Sequence, residues 1–328
     1  MALVRTASGV STVDGNDWLD PVWRAGASAW ATERLAALGR PVTGPIEQVR
    51  VRPWSVSLRV PTDSGPHWFK ANTFGCRYEA PLASALAWWA PASVLVPVAT
   101  DPDRGWLLTA DAGPILRDTA PTLDDWAALL ASYAALQQAL APRADEMIAL
   151  GVPDQRPTLL PGLLAGLLDE PAVAADLGAQ RLAAVRGVAP AFADWCAELA
   201  ADGLAPSLQH DDLHDGNVFA NGRFFDWGDA SVAHPFGTLL VTLSSAGHAF
   251  DLKPGAPELL RLRDAYLAAW PGDPTSLRRS ATLACRVTRV SRALSWRRAL
   301  DRAALPLDDD VRTAPAEWLA ELTEPDLV

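Results

Sequence analysis

The stretch Leu208-Gln209-His210-Asp211-Asp212-Leu213-His214-Asp215-Gly216-Asn217-Val218-Phe219, followed by Phe224-Phe225-Asp226-Trp227-Gly228-Asp229, sets a dense knot of carboxylates between apolar flanks. Carboxylates at that density repel one another, so they are tolerated where a positive partner, most simply a divalent cation, balances them. Two short apolar pieces, Val218 to Ala220 and Arg223 to Phe225, are joined at Asn221-Gly222. Asn-Gly between such pieces signals a two-residue hairpin turn. The hairpin would bring Asn217 and Asp226 side by side at its open end. Two hard oxygen donors held there suit Mg²⁺, which completes its octahedron with water and phosphate. Asp212 stands just upstream, as an acceptor for a substrate proton.

His210-x-Asp212-x-x-x-x-Asn217 followed by Asp226-Trp227-Gly228 resembles the catalytic loop and metal motif of the aminoglycoside phosphotransferase and choline kinase-like small-molecule kinases, relatives of the protein kinases. The resemblance implies Asp212 as catalytic base, Asn217 and Asp226 as Mg²⁺ ligands, and His210 as a brace of the loop, with His214 and Asp229 in support. It implies an α+β, two-lobed protein-kinase-like fold with a small antiparallel-sheet N-lobe and a larger helical C-lobe. Residues 1–112 would clamp the nucleotide phosphates, and residues 113–328 would carry the catalytic loop and the acceptor site. Two positions depart from the family pattern: Asp211 stands where many members have Gly, and Asp215 where Pro is common.

Further upstream, Gln48-Val49-Arg50-Val51-Arg52 and Trp54, Val56, Leu58, Val60 alternate with period two. The turn Pro61 to Pro66 then leads into His67-Trp68-Phe69-Lys70-Ala71, which makes three antiparallel strands in succession. Lys70 is one of only two lysines among 28 basic residues. Where arginine is so clearly the default cation, a lysine ending an apolar strand suggests a compact point charge on a flexible stem. Glu79 opens a helix running from about Arg77 to Trp89. By the resemblance, Lys70 contacts the nucleotide phosphates, Glu79 orients it through an ion pair, and the backbone of Thr109 to Ala112, Asp111 included, meets the purine. The turn where a glycine-rich phosphate cradle is expected reads Arg52-Pro53-Trp54-Ser55-Val56-Ser57, so a phosphate would meet the Ser55 amide and hydroxyl.

Two other readings compete. His210, Asp212 and His214 alternate like ligands of a zinc-type metal-dependent hydrolase, but that reading leaves Asn217 and Asp226 idle. The glycine-free turn keeps alive a catalytically silent kinase-like nucleotide-binding module.

At 328 residues and 49% hydrophobic, the chain can bury sizeable cores. Three scattered cysteines, Cys76, Cys196 and Cys285, make no disulfide framework, and the first residues lack the apolar core of a secretory signal, so a reducing cytoplasm is the expected setting. The uncharged run Ala80 to Thr100 is long enough to span a membrane, but Pro81, Pro91 and Pro97 punctuate it, and it reads as a helix and then a strand. Residues 1–110 carry 10 Lys and Arg against 9 Asp and Glu, while residues 111–328 carry 18 against 30. That acidic balance disfavours nucleic acid and favours a cationic acceptor.

Helices are expected over residues 16–40, ending at Gly39, and from Thr122, whose spacing to Asp125 is a capping signature. Others are expected over 159–168, 180–199 with a break at Pro190, 235–250 and 257–270. A stripe of Leu283, Val287, Val290 and Leu294 follows, and Arg279, Arg286, Arg289 and Arg292 beside it read as a solvated or ion-paired face. The chain thus reads as a phosphotransferase moving the γ-phosphoryl of ATP or GTP, with Mg²⁺, to a hydroxyl of a small molecule. Aminoglycosides, amino sugars, plain sugars and choline-like alcohols are all candidate acceptors, with no nucleic acid or membrane as partner.

Overall fold

Asp20-Pro21 starts the first helix, α1 (Pro21–Ala37), in a computed structural model that describes residues 18–303 and 305–328. The expected helix start at residues 16 and 17 and the reading of the first residues lie outside the described ones. Asp20 caps α1 by accepting from the Val22 N–H at 2.9 Å. At the other end the Gly39 and Arg40 amides bond back to Ala36 and Leu35, with Gly39 at φ 69°. That is the left-handed cap that glycine takes without penalty.

The strands β1 (Glu47–Val51), β2 (Ser55–Thr62), β3 (Gly65–Asn72), β4 (Pro97–Asp101) and β5 (Trp106–Ala110) form an antiparallel sheet in the order β1-β2-β3-β5-β4. Alternation puts Val56, Leu58, Val60, Phe69 and Leu108 on one buried face. Trp30, Ala31 and Leu35 of α1 cover it, each fully buried aliphatic contributing about 1.5–3 kcal/mol. Trp30, Phe69 and Trp106 meet edge to face, with centroids 5.3 to 5.8 Å apart. Between β3 and β4 runs α2 (Glu79–Trp89), so the uncharged run from Ala80 is a helix followed by a strand. No helix among the described residues is long and apolar enough to cross a membrane.

Beyond β5 the chain is helical: α3 (Leu123–Leu140), α4 (Ala144–Ala149), α5 (Leu160–Asp169) and α6 (Pro171–Ala201), then α7 (Thr238–Ala249), α8 (Pro257–Leu267), α9 (Pro274–Ala299) and α10 (Asp309–Ala320). Thr122 and Asp125 close a reciprocal capping box at the start of α3, and Trp126, Leu130 and Tyr133 are buried beneath it. The expected break at Pro190 is not there. The long helix α6 deviates instead at Gly178 (φ 68°, ψ 164°), where a residue without Cβ leaves helical geometry cheaply, while Pro190 keeps helical angles. A short ribbon, β6 (Ser207–Gln209) with β7 (Ser231–Ala233), frames the carboxylate knot.

The two lobes meet at the 3₁₀ turn Phe74–Cys76, which sits on the C-terminal end of α9. The Thr73 hydroxyl donates to the Ala299 carbonyl at 2.8 Å, and Trp54 at the β1–β2 turn meets Trp296 edge to face at 5.3 Å. A Cβ on Gly75 would run into the Arg298 carbonyl, a backbone atom that cannot rotate aside. Gly75→Ala should therefore lower stability by about 1–3 kcal/mol through overpacking. Urea denaturation giving an unchanged midpoint would refute this account of the joint.

Candidate active site

The end of β6 is pinned from α3, where the Tyr133 hydroxyl and the Gln137 amide both donate to the Leu208 carbonyl at 3.0 Å. The chain then delivers His210 into the core, where its Nε2 lies 2.9 Å from the Phe225 carbonyl and its ring 4.8 Å from Trp227. Burial lowers the His210 pKa despite the Phe225 bond, so the neutral ring donates from Nε2. The loop after β6 is thereby tied to the residue preceding Asp226.

Asp211 stands at φ 61°, a left-handed conformation costing a non-glycine residue about 1–2 kcal/mol. Its side chain compensates by accepting from Gln209 at 3.1 Å and Ser231 at 2.5 Å, and its carbonyl accepts from Arg292 at 2.5 Å. Burial pushes the Asp211 carboxyl up to about 6, against the pull of Ser231, Arg292 and Gln209. Asp212 follows, half-buried. One of its oxygens lies 3.2 Å from the Asn217 amide and 3.5 Å from His214 Nε2, and the other lies 3.4 Å from Arg292. Burial would raise this carboxyl too, but the His214 hydrogen bond and the Arg292 charge outweigh it and hold it below the usual carboxylate range. His214 Nδ1 accepts from the Gly216 N–H at 2.9 Å, which leaves the ring proton on Nε2, toward Asp212. Asp215 is held by Arg117 through two bonds, 2.7 and 2.9 Å.

The hairpin forms, with a different turn. The Gly222 amide bonds to the Phe219 carbonyl at 2.8 Å and the Phe219 amide to Arg223 at 2.9 Å, so the loop is Ala220-Asn221-Gly222 rather than Asn221-Gly222 alone. Only Gly222 is left-handed (φ 82°), because the Asn221 side chain is tied to Ala112 and to the Arg223 amide. Asn217 and Asp226 do flank its open end, where the Phe225 amide bonds to the Asn217 carbonyl at 3.1 Å.

Asp226, left-handed at φ 67°, places Oδ1 2.5 Å from the Lys70 ammonium of β3. Lys70 also lies 2.6 Å from Glu79 at the start of α2. Glu79 is fixed in turn by the Trp227 N–H at 3.0 Å and by the Asn72 amide. Burial alone would lower the Lys70 pKa, but Asp226 and Glu79 together raise it; burial alone would raise Asp226, and Lys70 lowers it. Both groups are therefore ionised at neutral pH.

Three adjoining cavities surround these side chains. The first, about 350 Å³, is lined by Lys70, Asp212, Asn217, Asp226 and Ser55. The second, about 280 Å³ and more apolar, continues past Ser55 and Lys70 to Trp68, Leu107, Thr109, Asp111 and Phe225. The Asp111 carboxylate accepts from the Trp68 indole and the Gly113 amide, both at 2.9 Å, so that side chain braces the rim. The third, about 620 Å³, lies beyond Asp212 and opens between Ser245, His248 and Trp318.

The first cavity suits Mg²⁺. Asn217 spends its amide nitrogen on Asp212, which leaves Oδ1 as a donor, and Asp226 engages Lys70 through Oδ1, which leaves Oδ2. The hydrolase alternative has no ligand set, because His210 is committed to Phe225 and no three His, Cys, Asp or Glu side chains are gathered as a metal cluster among the described residues.

Sequence reasoning missed the arginines. Arg279 and Arg286 are ion-paired to Glu198 and Asp326, and Arg289 binds carbonyls near the C-terminus, as expected of that face. Arg292 instead turns inward to Asp212, and Arg117 and Arg50 line the first cavity. Nothing in their spacing marks them. A pH test isolates Asp211. Its raised carboxyl contributes stability that is complete below the unfolded value of about 4 and is lost as pH rises through about 6. Asp211→Asn should abolish that slope and be more stable above pH 7 by up to ~3 kcal/mol. Chemical denaturation at pH 4.5 and 7.5 showing the same slope in both proteins would contradict the assignment.

The fold is shared with several solved structures. The chain superposes on an ethanolamine kinase from Plasmodium vivax at 12% identity and TM-score 0.60, covering 86% of this chain and 82% of that one. A choline kinase from Streptococcus pneumoniae gives 13% identity and TM-score 0.59 over 90% and 98% of the two chains. A mutant aminoglycoside 2′-phosphotransferase solved with GDP gives 16% and 0.59 over 90% and 96%. At these identities the likeness speaks for the fold alone, the two-lobed kinase-like one. No curated protein matches the sequence. The family model described as the phosphotransferase enzyme family, APH, matches residues 76–279. Since that match spans well over half of the chain and contains the whole carboxylate knot, the chain belongs to the phosphotransferase enzyme family.

Proposed function

We propose that this phosphotransferase moves the γ-phosphoryl group of ATP or GTP to a hydroxyl of a small molecule. The observation that carries the reading is the convergence, in one cavity, of an ammonium from β3, an ionised base from the loop after β6 and two oxygen donors from the ends of one hairpin. Lys70 neutralises phosphate oxygens, turning from Asp226 while Glu79 keeps its stem in place. The purine occupies the second cavity, against Leu107 and Phe225 and beside the backbone of Thr109 to Ala112.

Asn217 and Asp226 would hold Mg²⁺, which when bound supplies charge neutralisation on the transferring phosphate. Asp212 accepts the proton of the acceptor hydroxyl as the acceptor oxygen bonds to the γ-phosphorus and the bond to the nucleoside diphosphate breaks. Its low pKa makes it a weak base that is ionised throughout the neutral range, so orientation of the hydroxyl contributes more than proton affinity. His214 and Arg292 hold that orientation.

Asp212→Asn should lower turnover by roughly 10²–10⁴-fold with Mg-nucleotide affinity nearly intact, whereas Asp226→Ala should weaken that affinity itself. Isothermal titration of both variants, set beside a coupled assay of diphosphate release, checks the pair. The reverse pattern would overturn this division of roles between Asp212 and Asp226.

A further inference from the structure

The third cavity has an unusual charge pattern for a phosphotransferase chain whose C-terminal part is strongly acidic. The charged groups facing it are Arg117 and Arg292, with His248, against the carboxylates of Asp212 and Asp215. Both carboxylates are already engaged. Asp215 accepts twice from Arg117 and is almost fully buried, and Asp212 is shared between Arg292 and His214. An ammonium group entering here would stand beside two guanidinium ions, with no carboxylate to itself other than the one that must receive the acceptor's proton.

An anion meets the opposite situation. The Arg117 side chain is 56% exposed, and its Nε and Nη2 face Asp215 and His214. Among the described residues nothing accepts from its Nη1. Ser244 and Ser245 offer hydroxyls on the wall opposite, and Trp318, with the Arg292 guanidinium 5.6 Å over its ring, closes one side with a flat apolar surface.

We propose that the third cavity takes a hydroxylated acceptor carrying one carboxylate or phosphate group, held by Arg117 beside the reacting hydroxyl at Asp212, and that it discriminates against amines. This rests on the phosphotransfer reading above and narrows its acceptor class.

The test uses the full chain with Mg²⁺ and a non-hydrolysable nucleoside triphosphate, titrated with four sugars of one skeleton: glucose, glucosamine, glucuronate and glucose 6-phosphate. Glucuronate or glucose 6-phosphate should bind roughly tenfold tighter than glucose, as one charge-assisted hydrogen-bond pair provides, and glucosamine weakest. Whichever anionic sugar binds tighter names the anion. Arg117→Glu should invert the order, and Arg117→Gln, the milder change, should flatten it, with melting curves confirming that each variant is folded. Tighter binding of glucosamine, equal binding of all four, no binding of either anionic sugar at millimolar concentration, or an unchanged order in both variants would overturn the proposal. Failure of the wild-type chain to bind the nucleotide analogue would instead overturn the phosphotransfer reading beneath it.

Discussion

One ammonium ion organises the cleft. Lys70 is largely buried between Glu79 and Asp226, carboxylates that arrive from the start of α2 and from the end of the hairpin after the carboxylate knot. Removing three charges from water costs several kcal/mol per ion unless each is paired and its remaining valences are met. For Glu79 they are met, since it also receives the Trp227 amide and the Asn72 side chain. The arrangement therefore works only with the lobes in one relation, and the N-lobe sheet, α2 and the turn at Asp226 are held in register by it. A lysine suits the position better than arginine, because a point charge with rotatable donors meets carboxylates from two different elements without a planar fork having to fit both.

The same accounting explains how the loop after β6 carries so many carboxylates. Asp211 is dehydrated, and its carbonyl and side chain are hydrogen-bonded on every side. Asp215 is neutralised by Arg117. Arg292 sits between Asp211, Asp212 and Asp229, so a single buried cation from α9 serves three acidic residues of the site. The loop is acidic in sequence and close to balanced in space, which bears directly on what can approach Asp212.

What could be read from the sequence was local. Period-two alternation located Val56, Leu58 and Val60 on the inner face of the sheet, and the Thr122–Asp125 spacing located the start of α3, because each signal is complete within a few residues. That Lys70, Asp212, Asn217 and Asp226 would line one cavity, with Glu79 beside Lys70, was expected from the family resemblance of their motifs rather than from any single local signal. Arg292 was not, since its partner Asp212 lies 80 positions earlier and its helical spacing matches that of Arg279, Arg286 and Arg289, which face outward or toward the C-terminus. The break in α6 was misplaced for a related reason. Proline forbids one hydrogen bond wherever it stands, whereas Gly178 only permits the non-helical conformation it takes, which no signal around it in the sequence demands. The turn of the hairpin was decided by the Asn221 bond to Ala112, a contact from beyond the hairpin itself.

The glycine-free turn between β1 and β2 follows from this economy of cations. A glycine-rich cradle binds phosphate with backbone amides that come close because no side chain intervenes. In the turn Arg52-Pro53-Trp54-Ser55, Pro53 has no amide to offer and the Arg52 amide is spent on the Ser55 carbonyl at 2.8 Å, so two of its four residues are withdrawn from a backbone cradle. The cavity beneath it is lined instead by side chains, Arg50 and Lys70 with the Ser55 hydroxyl. The tip is anchored on the opposite lobe through Trp54 and Trp296, and behind it by the Thr73 amide donating to the Trp54 carbonyl at 3.0 Å. An aromatic anchor contributes about 0.5–1.5 kcal/mol beyond its buried area, enough to hold the turn in place without the conformational freedom of glycine. The Trp54 contact therefore also ties the roof of the first cavity to α9, the helix that supplies Arg292 to Asp212.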